Sequence, residues 1–148
     1  MLKSLSKIKK SYIAGFLDGD GSIYAQAKPN RTYRYGFQIA LYVVFFQSKK
    51  CQKSFEEICS LVGCGKLRIR SDGILECVIG KIEDIQEFLK AIKPYSVLKK
   101  KQINLMLEII RRKKTIKNAN DFKNLLKIIN RYRELNYSKR RKERALTP

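Results

Sequence analysis

Residues 13–21 run Ile13-Ala14-Gly15-Phe16-Leu17-Asp18-Gly19-Asp20-Gly21, and the fold turns on them. Apolar Tyr12, Ile13, Phe16 and Leu17 beside small Ala14 and Gly15 predict a helix over about 11–20, stopped by the Gly-Asp-Gly. Glycine inside a helix costs roughly 1 kcal/mol relative to alanine, so Gly15 and Gly19 need a packing reason. With Ala14 they form a strip almost free of side chains, on which a partner helix can approach backbone to backbone. Asp18 and Asp20 then fall at the negative end of the helix dipole, an unfavourable place for a carboxylate without a nearby cation. Two explanations are open. Either the acids cap a turn between helix and strand, or they serve Mg²⁺, which takes one or two carboxylates beside substrate phosphates. A calcium loop is excluded, because the twelfth position counted from Asp18 is Pro29 where a glutamate is required.

Outward from this stretch the apolar period alternates between two and about 3.6. Ile23, Ala25 and Ala27 alternate with Tyr24, Gln26 and Lys28, predicting a strand over 22–28 and a turn at Pro29-Asn30. Odd positions from Tyr33 to Phe45 are apolar or aromatic, predicting a long, bent antiparallel partner over 33–46. Helical spacing over about 50–61, ended by Gly63, gives way to a hairpin in which Lys66, Arg68 and Arg70 face Glu76. Three further helices follow, near 82–92, 99–112 and 121–135. The order αββαββα plus C-terminal helices predicts an α+β fold: a four-stranded antiparallel sheet with helices on one face. Odd strand positions supply the core, and the open face shows Tyr24, Gln26, Lys28, Arg34, Gln38, Tyr42, Lys66, Arg68, Arg70 and Glu76, with Asn30 at its edge.

Composition says what such a face is for. In 148 residues, the size of one domain, 33 Lys and Arg stand against 13 Asp and Glu for a net charge of +20. That surface calls for a polyanion. The last 38 residues hold fourteen Lys and Arg against three acids, and Lys139, Arg140 and Arg141 are expected to grip backbone phosphates there. There is no histidine, which excludes Ser-His-Asp triads, Cys-His pairs and imidazole-zinc sites and leaves acid-base and metal work to carboxylates. Cys51, Cys59, Cys64 and Cys77 contain no C-x-x-C pair and are expected as reduced, mostly buried thiols of an intracellular, unsecreted protein. No apolar stretch is long enough to span a membrane. The opening MLKSLSKIKK lacks arginine and leads straight into the motif, so it is expected to start the mature fold.

Positions 13–21 resemble the LAGLIDADG motif of homing endonucleases, with Ala14, Gly15, Asp18, Asp20 and Gly21 matching its letters. The likeness continues through residues 21–30, Gln38, Phe46-Gln47, Gly63-Cys64-Gly65 and Lys93-Pro94-Tyr95, then Lys99 to Asn104, covering most of 11–112. With one motif copy, the chain resembles the homodimeric branch, which implies paired motif helices at a two-fold axis through Tyr12, Ala14, Gly15, Asp18 and Gly19. The resemblance implies Mg²⁺ or Mn²⁺ held by Asp20 and the Gly19 carbonyl, with Gln47 and Lys99 completing the catalytic group. It also implies a saddle sheet lying in the major grooves of a pseudo-palindrome of about 20 base pairs, cut to leave 3′ overhangs. Gln26, Gln38, Arg68 and Arg70 are the expected base readers. One departure stands out. Relatives carry an arginine at the start of the second helix where this chain has Cys51, and Lys50 and Lys53 are the candidates to replace it. Intron RNA is an expected alternative partner, for a binding-only version of the scaffold, and organelles or the prokaryotic cytoplasm are the expected compartments.

Overall fold

Helix α1 (Lys7–Asp20) begins where the Ser6 side chain accepts the Lys9 backbone N–H, and ends where the Gly21 N–H reaches the Leu17 carbonyl. Gly21 is required for want of space: a Cβ there would lie 2.7 Å from the Leu17 carbonyl oxygen and 2.9 Å from its Cα. The chain can therefore pass from helix into strand β1 (Gly21–Pro29) without a linker. The computed structural model describes residues 4–136, so Lys139, Arg140 and Arg141 lie outside the described residues.

Strands β2 (Phe37–Ser48), β3 (Lys66–Ile69) and β4 (Ile74–Ile79) complete an antiparallel sheet in the order β1-β2-β4-β3. Helices α2 (Gln52–Val62), α3 (Ile82–Ile92), α4 (Lys100–Lys113) and α5 (Ala119–Asn130), with the single turn α6 (Tyr132–Leu135), alternate with or follow the strands. The expected α+β architecture is the observed one. Odd positions of β1, β2 and β4, among them Ile23, Val43, Phe45, Leu75 and Ile79, are buried with Leu17, Phe88, Ile103 and Leu125 of the helices. Even positions form the open face. Gly63 ends α2 in the left-handed conformation, φ +74°, its N–H on the Cys59 carbonyl.

The structure corrects several expectations. The second strand starts at Phe37 and not at 33, because Gly36 at φ +78° closes a turn back to the Tyr33 carbonyl. Arg34 therefore sits in the β1–β2 loop and not on the sheet. The last helix breaks at Arg131 into α5 and α6. Leu67 and Ile69 are odd yet 38% and 51% exposed, on the edge strand β3. Finally, Cys51 is exposed and only Cys77 of the four free cysteines is fully buried.

Candidate nucleic-acid interface and candidate metal site

Burial divides α1 into two sides. Ile13, Ala14 and Leu17 are buried in this chain's own core, which removes Ala14 from the expected partner-facing strip. The physical reason is the helical period: Ala14 lies one turn from Leu17, whereas Gly15 and Gly19 lie on the other side. That other side is exposed and carries Ile8 at 82%, Tyr12 at 53%, then Gly15 and Gly19, around which a Cβ would meet nothing within 4 Å. Ile8 was not anticipated, although its spacing of four to Tyr12 and seven to Gly15 is helical.

Asp18 is also spoken for within its own chain. Its carboxylate accepts the Ser96 hydroxyl at 2.6 Å and the backbone N–H groups of Val97 at 2.7 Å, Leu98 at 3.0 Å and Lys99 at 3.3 Å. These residues form the turn before α4, so Asp18 fastens that turn to the end of α1 from 80 residues away. Burial is the largest influence on this carboxyl and acts to raise it, but the four hydrogen bonds together hold it below its ordinary value. The Lys99 ammonium donates to the Asp18 carbonyl oxygen at 2.9 Å; burial pulls it down and Asp18 partly restores it. In this way the fold brings Lys99 to the end of α1.

Asp20 is exposed at that same end, and no hydrogen bond or ion pair among the described residues engages its side chain. Gly19 offers one of the helix's last carbonyls, a class without intrahelical donors. Gln47 is two residues beyond Phe45, the partner of Gly21, and so lies at the same end of the sheet. Its Oε1 accepts the Ser48 N–H at 2.9 Å, leaving the amide NH₂ to donate. No group of three or more Cys, Asp and Glu among the described residues is placed to hold a metal ion. A single chain thus presents one free carboxylate and one carbonyl, oxygen donors that suit Mg²⁺ only when phosphate, water or a second copy supplies the rest. Cys51 tops α2 without a side-chain cap, and Lys50 and Lys53 beside it are both exposed.

The open face of the sheet is a built surface and not a row of loose side chains. Tyr24 and Tyr42 are directly paired, their rings 4.9 Å apart, and Lys28 donates to the Tyr42 hydroxyl at 2.8 Å. Glu76, expected as an exposed contact, is instead 7% exposed. It lies opposite Arg68 in the register and accepts that guanidinium through Nε at 2.9 Å and through Nη2, with Arg70 Nη1 3.7 Å away. The Arg68 side chain itself remains 67% exposed. Arg70 falls just past β3 and pairs with Asp72 at 2.7 Å. Gln26 is half-buried, while Gln38 and Lys66 are exposed on the same face. Asn30 instead builds the loop, its Oδ1 accepting the Thr32 N–H and hydroxyl. Sequence reasoning missed Val44, Phe46 and Val78, which share this face; carrying the even-position rule on to 46 and 78 would have found them.

Known proteins match both the sequence and this geometry. The sequence pattern of the LAGLIDADG endonuclease family matches residues 13–110. The DNA endonuclease I-CreI of Chlamydomonas reinhardtii is 34% identical over 137 residues, spanning 92% of this chain and 83% of that protein. The DNA endonuclease I-CvuI of Chlorella vulgaris is 36% identical over 107 residues, 72% of this chain and 66% of that protein. The crystal structure of I-CvuI with the I-CreI target in the presence of Mg, its DNA not cleaved, superposes with a TM-score of 0.86 at 29% identity, covering 92% of this chain and 87% of that one. The fold also recurs in the archaeal intron-encoded homing endonuclease I-Vdi141I, TM-score 0.80 at 20% identity, covering 91% and 88%.

Proposed function

Since the chain belongs to the LAGLIDADG homing endonuclease family, we propose that it works as a homodimer whose exposed α1 strips pack at a two-fold axis and whose Asp20 carboxylates hold divalent metal at the scissile phosphates. The substrate in this reading is a long pseudo-palindromic DNA duplex, cut on both strands to leave 3′ overhangs. One observation carries it: a solvent-facing carboxylate ends an exposed glycine strip at the same helix end that holds an anchored lysine, beside an open sheet in a strongly basic chain.

Asp20 and the Gly19 carbonyl would hold Mg²⁺ or Mn²⁺. When bound, such an ion neutralises phosphate charge and activates water. The chain's own groups do the rest. Gln47 directs its free amide hydrogens at the attacking water. Lys99, fixed by one hydrogen bond to the Asp18 carbonyl, keeps two N–H groups for the developing negative charge. Gln26, Gln38, Arg68 and Arg70 read base edges, with Tyr24, Tyr42, Lys28, Lys66, Asn30 and Arg34 along the backbone and grooves. Lys139, Arg140 and Arg141 add sequence-independent grip. Four cysteines without a disulfide fit an organelle or a prokaryotic cytoplasm, and no helix among the described residues is long and apolar enough to cross a membrane.

Cys51 favours a second reading, in which the protein binds its target, or an intron RNA, without cutting. A cysteine cannot supply the planar charged fork of the arginine it replaces, and Lys50 and Lys53 offer only point charges. Cleavage of a partly randomised duplex library with Mg²⁺ or EDTA, by wild type and Asp20→Asn, separates the two. Metal-dependent ends at one pseudo-palindrome, lost in the mutant with binding kept, support the nuclease. Enriched binding without ends supports the second reading, and cleavage that survives Asp20→Asn refutes the site.

A further inference from the structure

The loop between β1 and β2 is fastened through both its backbone and a side chain. The Asn30 N–H donates to the Gly36 carbonyl at 2.9 Å, the Tyr33 N–H to the Asn30 carbonyl at 3.2 Å, and the Gly36 N–H to the Tyr33 carbonyl at 2.9 Å. Tyr35 then carries the loop onto the helical layer. Its half-buried ring stacks on Phe122 of α5, centroids 4.9 Å apart and planes 25° from parallel. The Arg34 guanidinium carbon lies over the same ring, 5.3 Å from its centre. Arg34, Tyr35 and Phe122 thus link an exposed cation of the loop to a buried residue of a helix. The Tyr35 hydroxyl is buried, and no group among the described residues hydrogen-bonds to it. A buried hydroxyl without a partner is a cost, so what this residue contributes is its ring, whose face attracts a cation.

Position gives this stack a consequence. Strand β1 has 9 residues, which carries the loop about 26 Å from the Gly21 end at about 3.3 Å per residue. With α1 at the two-fold axis, the loop falls at the outer end of each half-site. No carboxylate among the described residues pairs with Arg34, so nothing else there holds its guanidinium. A long side chain that must be ordered on meeting its ligand costs affinity, and one ordered beforehand does not. From this we infer that Tyr35 is a positioning residue: without touching DNA, it holds Arg34 over a ring anchored on α5 and so sets that guanidinium in place for a backbone phosphate at the outer end of the half-site. The inference rests on the duplex-DNA reading above and adds how its outermost contact is prepared.

The test uses the full chain and the duplex that wild type enriches from a randomised library, either intact or trimmed at both outer ends. Tyr35→Leu keeps bulk against Phe122 but removes the π face, and should raise Kd for the intact duplex by about two- to tenfold per half-site. Its Kd for the trimmed duplex should match that of wild type, which a general loss of folded protein would not allow. Tyr35→Phe keeps the ring and drops the unpaired hydroxyl; it should bind both duplexes as wild type does, with a urea midpoint no lower. In an Arg34→Ala background, Tyr35→Leu should add nothing further. No loss in Tyr35→Leu, equal losses on the two duplexes, or an undiminished effect in Arg34→Ala overturns the inference and leaves the DNA reading standing. A library yielding no enriched duplex overturns both.

Discussion

Replacing Asp18 with asparagine tests the joint between α1 and α4 with a change of one atom. The carboxylate accepts four donors, two on each oxygen: Ser96 and Lys99 on Oδ1, Val97 and Leu98 on Oδ2. An asparagine oxygen in the Oδ2 position keeps the second pair but lowers both from charge-assisted to neutral bonds, a loss of about 0.5–1 kcal/mol each. Its NH₂ then faces Oδ1's former partners. The Ser96 hydroxyl can turn to accept, but the Lys99 N–H meets another donor. Together these changes should destabilise the protein by about 1–3 kcal/mol, read from urea unfolding at constant slope. The pH dependence supplies a second, independent reading. Asp18 is held below its ordinary value, so its contribution is complete above the unfolded carboxyl's 3.8 and fades as pH falls through the lower folded value. The gap between wild type and Asp18→Asn should therefore be full at neutral pH and close in strong acid. A variant within about 0.5 kcal/mol of wild type at pH 7 would refute this anchoring role, given the scatter of neutral surface substitutions.

Gly21→Ala should destabilise by about 1–3 kcal/mol, because its Cβ has no room beside the Leu17 backbone; a calorimetric midpoint matching wild type would show that the helix-to-strand junction can shift. Cys51→Arg should raise single-turnover cleavage with little change in Kd; an unchanged rate would place the missing charge elsewhere. Binding should weaken steeply with salt, log K falling by about 0.9 per phosphate contacted on a plot against log salt, and a flat response would remove the polyanion argument.

Much of this architecture is local and could be read from the chain. Strand alternation and helical spacing are set by nearest neighbours, so α1, β1, the 66–79 hairpin and α3 came out within a few residues of their bounds. The failures have specific causes. Tyr33 and Tyr35 continue the β2 alternation in the sequence although Gly36 turns the backbone, and Tyr35 stacks on Phe122 from the loop. Leu67 and Ile69 alternate correctly yet stay exposed on β3, which their own sequence does not reveal. Ala14 was grouped with the glycines by size when the helical period puts it on the core side. Nothing local says that Asp18 fastens the turn before α4 or that Glu76 is held beneath two arginines. Both depend on contacts that only the tertiary fold creates.

The Asp18 joint also has a mechanical meaning. Asp20 ends the helix that Asp18 belongs to, and Lys99 follows the turn that Asp18 fastens, so the two groups are tied to one corner. Gln47 rides on the sheet instead. A duplex that twists or flattens the saddle as it docks would move Gln47 while the corner keeps its shape. In the proposed nuclease, alignment of the three groups would then depend on how the DNA is bent.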